Sequence, residues 1–181
     1  MRKIVASQYL SLDGVMEQPT WSAHYWNHEI ARFKHDELFA SDALLIGRIT
    51  YEEFADVWPR RTDDEGFAER MNVLPKYVAS QTRDQLEWNA TLIEGDVVEG
   101  VTRLKQQDGQ NMLIYGSAEL VQTLRQADLI DEYRLLIYPI IVGAGKRFFL
   151  DGEQSELQLI SHDVLNNGVV ALVYKPAAQE T

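Results

Sequence analysis

The sequence predicts an α/β fold built on a mixed central sheet, parallel in its middle and finished by an antiparallel edge. Two strand-glycine-helix units, residues 42–54 and 111–120, carry the parallel part, because each places four or more apolar residues before a glycine and a helix start. Asn166-Asn167-Gly168 lies between two runs, Glu156 to Val164 and Val169 to Tyr174, and is a strong hairpin signal that makes the last two strands antiparallel. A chain of 181 residues, 45% hydrophobic and without a low-complexity tract, has the size of one domain, residues 1–181, with a full core.

The first unit, from Asp42 through Ile46 to Gly47 and Phe54, organises the rest. Thr50 followed by Glu53 reads as a capping box, so the helix is expected to begin at Thr50, just after Gly47-Arg48 at the strand's carboxyl end. Unpaired helix N–H groups, a glycine and an arginine together favour a phosphate. The alternative is an ordinary strand-to-helix turn with a solvated arginine, since Glu52 and Glu53 already occupy the donor-rich turn.

Ahead of it, Lys3 to Leu10 alternates and is rich in Ile, Val and Tyr, a first strand leading to the turn signal Asp13-Gly14. Residues 17–26 carry Pro19, Trp21, Tyr25 and Trp26 without clean periodicity; this is a loop whose rings either lie over something flat or cap the core. Asn27 to Phe39 has Ile30, Phe33, Leu38 and Phe39 at helical spacing. His24 and His28 are four apart, a spacing that suits metal ligands only on a continuous helix; solvent-facing imidazoles are the other reading, and no metal is assigned. Residues 60–66 mix both signs of charge and read as a surface loop.

Lys76 to Ser80 is a short strand ending in Ser80-Gln81-Thr82-Arg83, which suits either a phosphate or ribose or a plain turn. Ala90 to Ile93 is another strand, and Val97 through Gln107 an amphipathic helix. In the second unit, Asn111 to Leu120, Ser117 is the natural N-cap. Two crossover turns at carboxyl strand ends of one sheet can clamp a dinucleotide pyrophosphate from both sides, although neither matches G-x-G-x-x-G and no Walker loop is present. Pro139 to Phe149 is a glycine-hinged apolar loop that either frames a pocket or buries against a second subunit.

Composition excludes several classes. A net charge of −11 and a pI near 4.8 oppose a nucleic-acid or anionic-membrane partner. The absence of cysteine removes disulfides, a thiol nucleophile and cysteine-ligated zinc. The N-terminal residues are too polar for a signal peptide and no apolar run has the length of a membrane span, so a cytoplasmic protein is expected.

Ser11-Leu12-Asp13-Gly14, Leu45 through Tyr51, Lys76 through Ser80, Tyr115-Gly116-Ser117 and Pro139 through Gly145 occur in an order that resembles the dihydrofolate reductase-like superfamily, and most closely the reductase domain of the bacterial bifunctional riboflavin deaminase-reductase. The resemblance spans nearly the whole chain. It implies a three-layer fold with helices on both faces of the sheet and an NADPH-dependent reductase, often a homodimer, with the cofactor across the carboxyl ends of the central strands. The missing cysteines suit the reductase half, since the deaminase half uses a cysteine-bound zinc.

By the same resemblance, Gly47, Arg48 and Thr50 would hold the pyrophosphate and the adenosine 2′-phosphate, with Ser80 near the latter. Gly116 and Ser117 would approach the diphosphate and nicotinamide, followed by Glu119 and Leu120 in the next helical turn. Relatives often carry a basic residue where this chain has Gln81, which leaves Arg48 to discriminate NADPH from NADH. Hydride transfer needs no protein nucleophile, because the cofactor supplies the difficult chemistry. Asp13, in a loop that closes over the nicotinamide in the superfamily, is expected to orient substrate, its other role being that of a turn residue. Glu29 falls where folate reductases place a substrate carboxylate. Trp21, Tyr25, Tyr138 and Phe149 are expected walls for a flat ring, and Lys146 and Arg147 are candidates for a ribose phosphate. Two other readings stand beside the enzyme: a non-catalytic dinucleotide-binding or sensor module, and a dimeric ligand-binding protein without nucleotide.

Overall fold

A computed structural model describes residues 1–82, 85–152 and 154–177. The chain runs β1 (Ile4–Ser11), α1 (His28–Phe39), β2 (Ser41–Gly47), α2 (Arg48–Val57), α3 (Phe67–Val73), β3 (Lys76–Ala79), β4 (Ala90–Leu92), α4 (Val97–Gln106), β5 (Asn111–Tyr115), α5 (Ala118–Gln126), β6 (Glu132–Tyr138), β7 (Leu157–Val164) and β8 (Val170–Pro176), with 3-10 turns at Pro19–Tyr25, Trp58–Arg60 and Asn166–Gly168. Among the described residues the strands form one eight-stranded sheet in the order β4-β3-β2-β5-β1-β6-β8-β7. Every pairing from β4 to β6 is parallel, and β6/β8 and β8/β7 are antiparallel. The mixed, mostly parallel sheet with an antiparallel C-terminal hairpin is the architecture expected. The hairpin closes as its turn residues dictate, since Asn167 and Gly168 both adopt positive φ.

Apolar residues are shared between the two faces of the sheet by strand alternation. Ile4, Ala6, Leu45, Met112 and Ile114 pack against α4 and α5 on one face through Val101, Leu120, Val121 and Leu124. Val5, Leu44, Ile46 and Leu113 pack on the other with Leu38 of α1, Tyr51 of α2 and Met71 of α3. Because β2 and β5 are covered on both sides, their sequences are continuous apolar runs rather than alternating ones. β7 is the opposite case: from Gln158 to Val164 every residue is exposed, including Leu159, Ile160 and Val164.

Two local expectations are corrected. α2 begins at Arg48, with Gly47 as its N-cap, and no side chain caps it. The capping box at Thr50 does not form because Thr50 is already inside the helix and its hydroxyl serves a neighbouring strand end. Ser117 does occupy the N-cap position of α5, but in a left-handed conformation (φ 55) and without a side-chain cap bond. Its hydroxyl is likewise taken up by tertiary contacts. By contrast, Asn27 caps α1 as its type predicts, its Oδ1 accepting from the Ile30 N–H at 2.9 Å.

Burial separates two leucine truncations cleanly. Leu44→Ala in the fully buried β2 is expected to cost about 2–5 kcal/mol in denaturant unfolding, whereas Leu150→Ala, exposed between β6 and β7, should stay within about 0.5 kcal/mol.

Candidate active site

β2, β5 and β1 are adjacent in the sheet, and the chain leaves β2 and β5 in opposite directions: α2 covers one face and α5 the other. A crevice opens at such a switch point, outside the carboxyl ends of the strands. The two turns that bound it are bonded to each other. The Gly47 N–H donates to Ser117 Oγ at 2.8 Å, and the Ser117 N–H donates to Thr50 Oγ1 at 3.1 Å. Ser117 Oγ also lies 2.9 Å from Thr50 Oγ1, and Gln8 Nε2 donates to the Gly116 carbonyl at 2.7 Å. Gly116 and Ser117 both take positive φ. A side chain on Gly116 would approach Thr50 Oγ1 to 3.1 Å, which the joined corner has no slack to accept. The two look-alike turns thus touch, which leaves no room between them for the clamped ligand that the sequence suggested.

The corner offers donors of the kind a diphosphate needs. The helix N-termini of α2 and α5 stand side by side, and the first-turn N–H groups of a helix have no partner within it. Gly47 has an ordinary φ of −77, and an added Cβ would meet only the Ser117 side chain, at no closer than 3.6 Å. The fold itself therefore does not demand glycine there, and the backbone at Gly47 is left uncrowded. Gly47 pairs with Ala79, so Ser80 follows at the same end of the sheet; Ser80 Oγ accepts from the Thr82 N–H at 3.3 Å. The Arg48 guanidinium is half-exposed and 3.1 Å from Glu52. Arg83, grouped with Ser80 by the sequence, lies outside the described residues. Leu120 is 5% exposed and belongs to the core, so only its backbone can meet a cofactor. Glu119 points its carboxylate to Lys146 Nζ at 3.1 Å, and Arg147 is exposed in a bridge to Val15.

The carboxylates expected to act on substrate are both engaged. Asp13 accepts from Ser11 Oγ at 2.6 Å, the Val142 N–H at 3.1 Å and the Gly143 N–H at 2.8 Å. These bonds, that from Ser11 first, hold its pKa down at about 2. It is an ionised acceptor at neutral pH and has no proton to deliver. Together with Leu12 N–H to Ile140 O (2.8 Å) and Phe148 N–H to Gly14 O (3.0 Å), it latches the loop after β1 to the loop after β6. Glu29 Oε2 accepts from the Asn166 N–H at 2.6 Å and ties α1 to the β7–β8 turn.

The four aromatic residues do not line one pocket. Tyr138 is 1% exposed, with Tyr9, Trp21 and Tyr25 packed edge-on around it at centroid distances of 5.4, 5.4 and 5.5 Å. These rings cap the core, as the second reading of that loop has it. Phe149 lies across the sheet, against Phe148 at 4.7 Å and Tyr133 at 6.3 Å; Tyr133 and Tyr138 are five residues apart on β6 and so point to opposite faces. There Phe149 lines an apolar hollow of about 460 Å³ with Leu10, Leu12, Ile137, Leu172 and Tyr174. His24 ends in a 3-10 turn and His28 starts α1, so no common helix aligns them, and no group of three or more metal-binding side chains occurs among the described residues.

One cluster escaped the sequence reading. Lys34 and Glu37, buried on the sheet-facing side of α1, form an ion pair. Lys34 Nζ donates to Ser7 Oγ at 2.8 Å and stands 4.0 Å from the Tyr115 ring centroid and 5.1 Å from that of Tyr9. Burial lowers the Lys34 pKa, against the pull of Glu37. The available signal was the placement of a lysine and a glutamate in the same helical stripe as Ile30 and Leu38.

The Asp13 latch has an acid signature. A depressed folded-state pKa means that its stabilisation is present above the ordinary carboxylate value of about 3.9 and is lost as pH falls through about 2. Wild type is therefore expected to lose more stability than Asp13→Asn on titration through that window, as read by thermal melting.

The family described as the RibD C-terminal domain matches residues 2–171. The uncharacterized protein YyaP of Bacillus subtilis (strain 168) is 29% identical over 177 residues, 96% of this chain and 94% of that protein. A putative riboflavin biosynthesis protein from Shewanella sp. PV-4 superposes with a TM-score of 0.75 at 18% identity, covering 97% of this chain and 99% of that one. The diaminohydroxyphosphoribosylaminopyrimidine deaminase/5-amino-6-(5-phosphoribosylamino)uracil reductase of Thermotoga maritima superposes at 0.67 with 11% identity, over 97% of this chain and 57% of that one. At such identities the solved structures speak to fold, while the family match extends over nearly the full length. With its mixed sheet and its joined strand-end corner, this chain belongs to the RibD C-terminal domain family and has the fold of a riboflavin-pathway reductase.

Proposed function

We propose that this protein, as one domain over residues 1–181, is an NADPH-dependent reductase that delivers hydride to a small heterocyclic or conjugated acceptor, of the type of 5-amino-6-(5-phosphoribosylamino)uracil reductase. The observation that carries the reading is the corner in which Gly47, Thr50, Gly116 and Ser117 set two helix N-termini side by side over an uncrowded glycine. That donor set fits a dinucleotide diphosphate, and Arg48, at the same end of the sheet as Ser80, suits the 2′-phosphate of NADPH. The bound nicotinamide would supply the hydride. The backbone groups of Glu119 and Leu120 would extend the donor row, while the latched loops over β1 and β6 would shield the reacting atoms from water.

A non-catalytic dinucleotide-binding module is the second reading, supported by the engagement of both Asp13 and Glu29 in structural bonds. Among the described residues no helix is long and apolar enough to cross a membrane, and with an acidic surface we place the protein in the cytoplasm, acting on a small molecule. We also place it as a homodimer, for which the open outer edge of β7, carrying Leu159, Ile160 and Val164, is a suitable contact.

Thermal shift tests the cofactor. NADPH at about 100 times its Kd should stabilise wild type by about 3 kcal/mol, more than NADH does, and Arg48→Ala should narrow the difference between the two. Equal responses from both nucleotides in both proteins would reject the role of Arg48, and no response at all would reject the dinucleotide. Sedimentation of Ile160→Lys should give a monomer where wild type gives a dimer.

A further inference from the structure

Reduction of a carbon-nitrogen or carbon-oxygen double bond needs a proton as well as a hydride, and neither carboxylate first expected to act is placed to give one. Asp13 is ionised and triply bonded, and Glu29 is tied to the hairpin turn. The sheet register points to another group. Ser7 pairs with Tyr115 across β1 and β5, and Gln8 Nε2 reaches the Gly116 carbonyl at 2.7 Å, so Tyr9, the next residue of β1, follows at the strand end that adjoins the joined corner. Neighbouring strands are about 4.8 Å apart. Tyr9 shares its face of β1 with Ser7 and Ser11, both buried, and is itself half-buried, the most accessible of the three. Its ring is held edge-on by Tyr138 at 5.4 Å and lies 5.1 Å from Lys34 Nζ. Among the described residues its hydroxyl has no hydrogen-bond partner, while Gln8, Ser7 and Ser11 on either side are all bonded within the protein.

We propose that Tyr9 is the proton donor of the reductase, its hydroxyl meeting the heteroatom of the acceptor's reducible double bond. The inference rests on the reductase reading above. In the step, the acceptor carbon gains the hydride from NADPH, which leaves as NADP⁺; the π pair of the double bond passes to the heteroatom, which takes the phenolic proton; and the Tyr9 oxygen regains a proton from water. Titratable groups around the ring are Lys34 and Glu37 on α1, Tyr115 on β5, and Arg134 and Tyr138 on β6. Burial and the Tyr138 and Glu37 neighbours raise the Tyr9 pKa well above its ordinary value, so the donor form persists through neutral pH.

The test has a binding arm and a kinetic arm. With tyrosine labelled by carbon-13 at Cζ and the Tyr9 signal identified by its absence in Tyr9→Phe, addition of 5-amino-6-(5-phosphoribosylamino)uracil to the NADP⁺ complex should shift the Tyr9 resonance and leave Tyr174, on the other face of the sheet, in place. With the same pyrimidine and NADPH, Tyr9→Phe should lower kcat by about 100-fold with KM for NADPH unchanged, and wild-type kcat should stay flat through neutral pH and fall only in alkali. A Tyr9 signal that does not move, or a Tyr9→Phe protein with wild-type kcat, overturns the proposal while leaving the cofactor reading intact. Failure of wild type to bind NADPH in the thermal-shift assay overturns the cofactor reading, and this inference with it.

Discussion

The arrangement depends on one hydroxyl. Ser117 Oγ accepts the Gly47 N–H and lies within bonding distance of Thr50 Oγ1, so the carboxyl ends of β2 and β5 are held as a single unit. A serine in the left-handed region costs about 1–2 kcal/mol relative to an ordinary conformation, and the bonds it makes in that conformation offset this. Without them two parallel strands would still be neighbours, but the helices that follow would have no common origin. With them, two positive helix ends stand beside a glycine, in a protein whose net charge is −11. Local backbone geometry, rather than overall charge, makes the corner hospitable to an anion.

A second polar system lies under the first. Lys34, Glu37 and Ser7 are buried between α1 and the sheet, with Tyr115 and Tyr9 around them. The Tyr115 hydroxyl and one Glu37 oxygen are buried without a hydrogen-bond partner among the described residues. A paired but incompletely satisfied network gives less stability than an apolar core of the same volume. Through the Tyr115 ring, 4.0 Å from Lys34 Nζ, it abuts the residue that precedes Gly116 of the corner. The latch built on Asp13 is the third constraint: it ties the loops after β1 and β6 together at the carboxyl ends of those strands.

Much of this was legible from residue order. The apolar runs of β2 and β5, each followed by glycine, announced parallel buried strands, and Asn166-Asn167-Gly168 announced the antiparallel ending. The identity of the corner residues was legible as well, while their bonds were not. Thr50 looks like a cap because threonine followed by glutamate three residues later is a local pattern, but Ser117, 67 residues away, claims its hydroxyl. The four aromatic residues looked like one pocket because aromatic residues share a chemistry. Strand alternation and the sheet order divide them, with Trp21, Tyr25 and Tyr138 on one face and Phe149 on the other.

By itself the sequence determined the class of fold, the order and type of its elements and the two glycine turns, because periodicity, turn residues and apolar runs act over a few neighbouring positions. Tertiary structure alone decided that the two turns are welded together, that Asp13 and Glu29 are occupied as structural acceptors, and that Tyr9 sits half-buried between Tyr138 and Lys34. Those outcomes depend on which strands become neighbours and in what register, and a hydrogen bond between residues 67 or 129 positions apart leaves no trace in either local stretch.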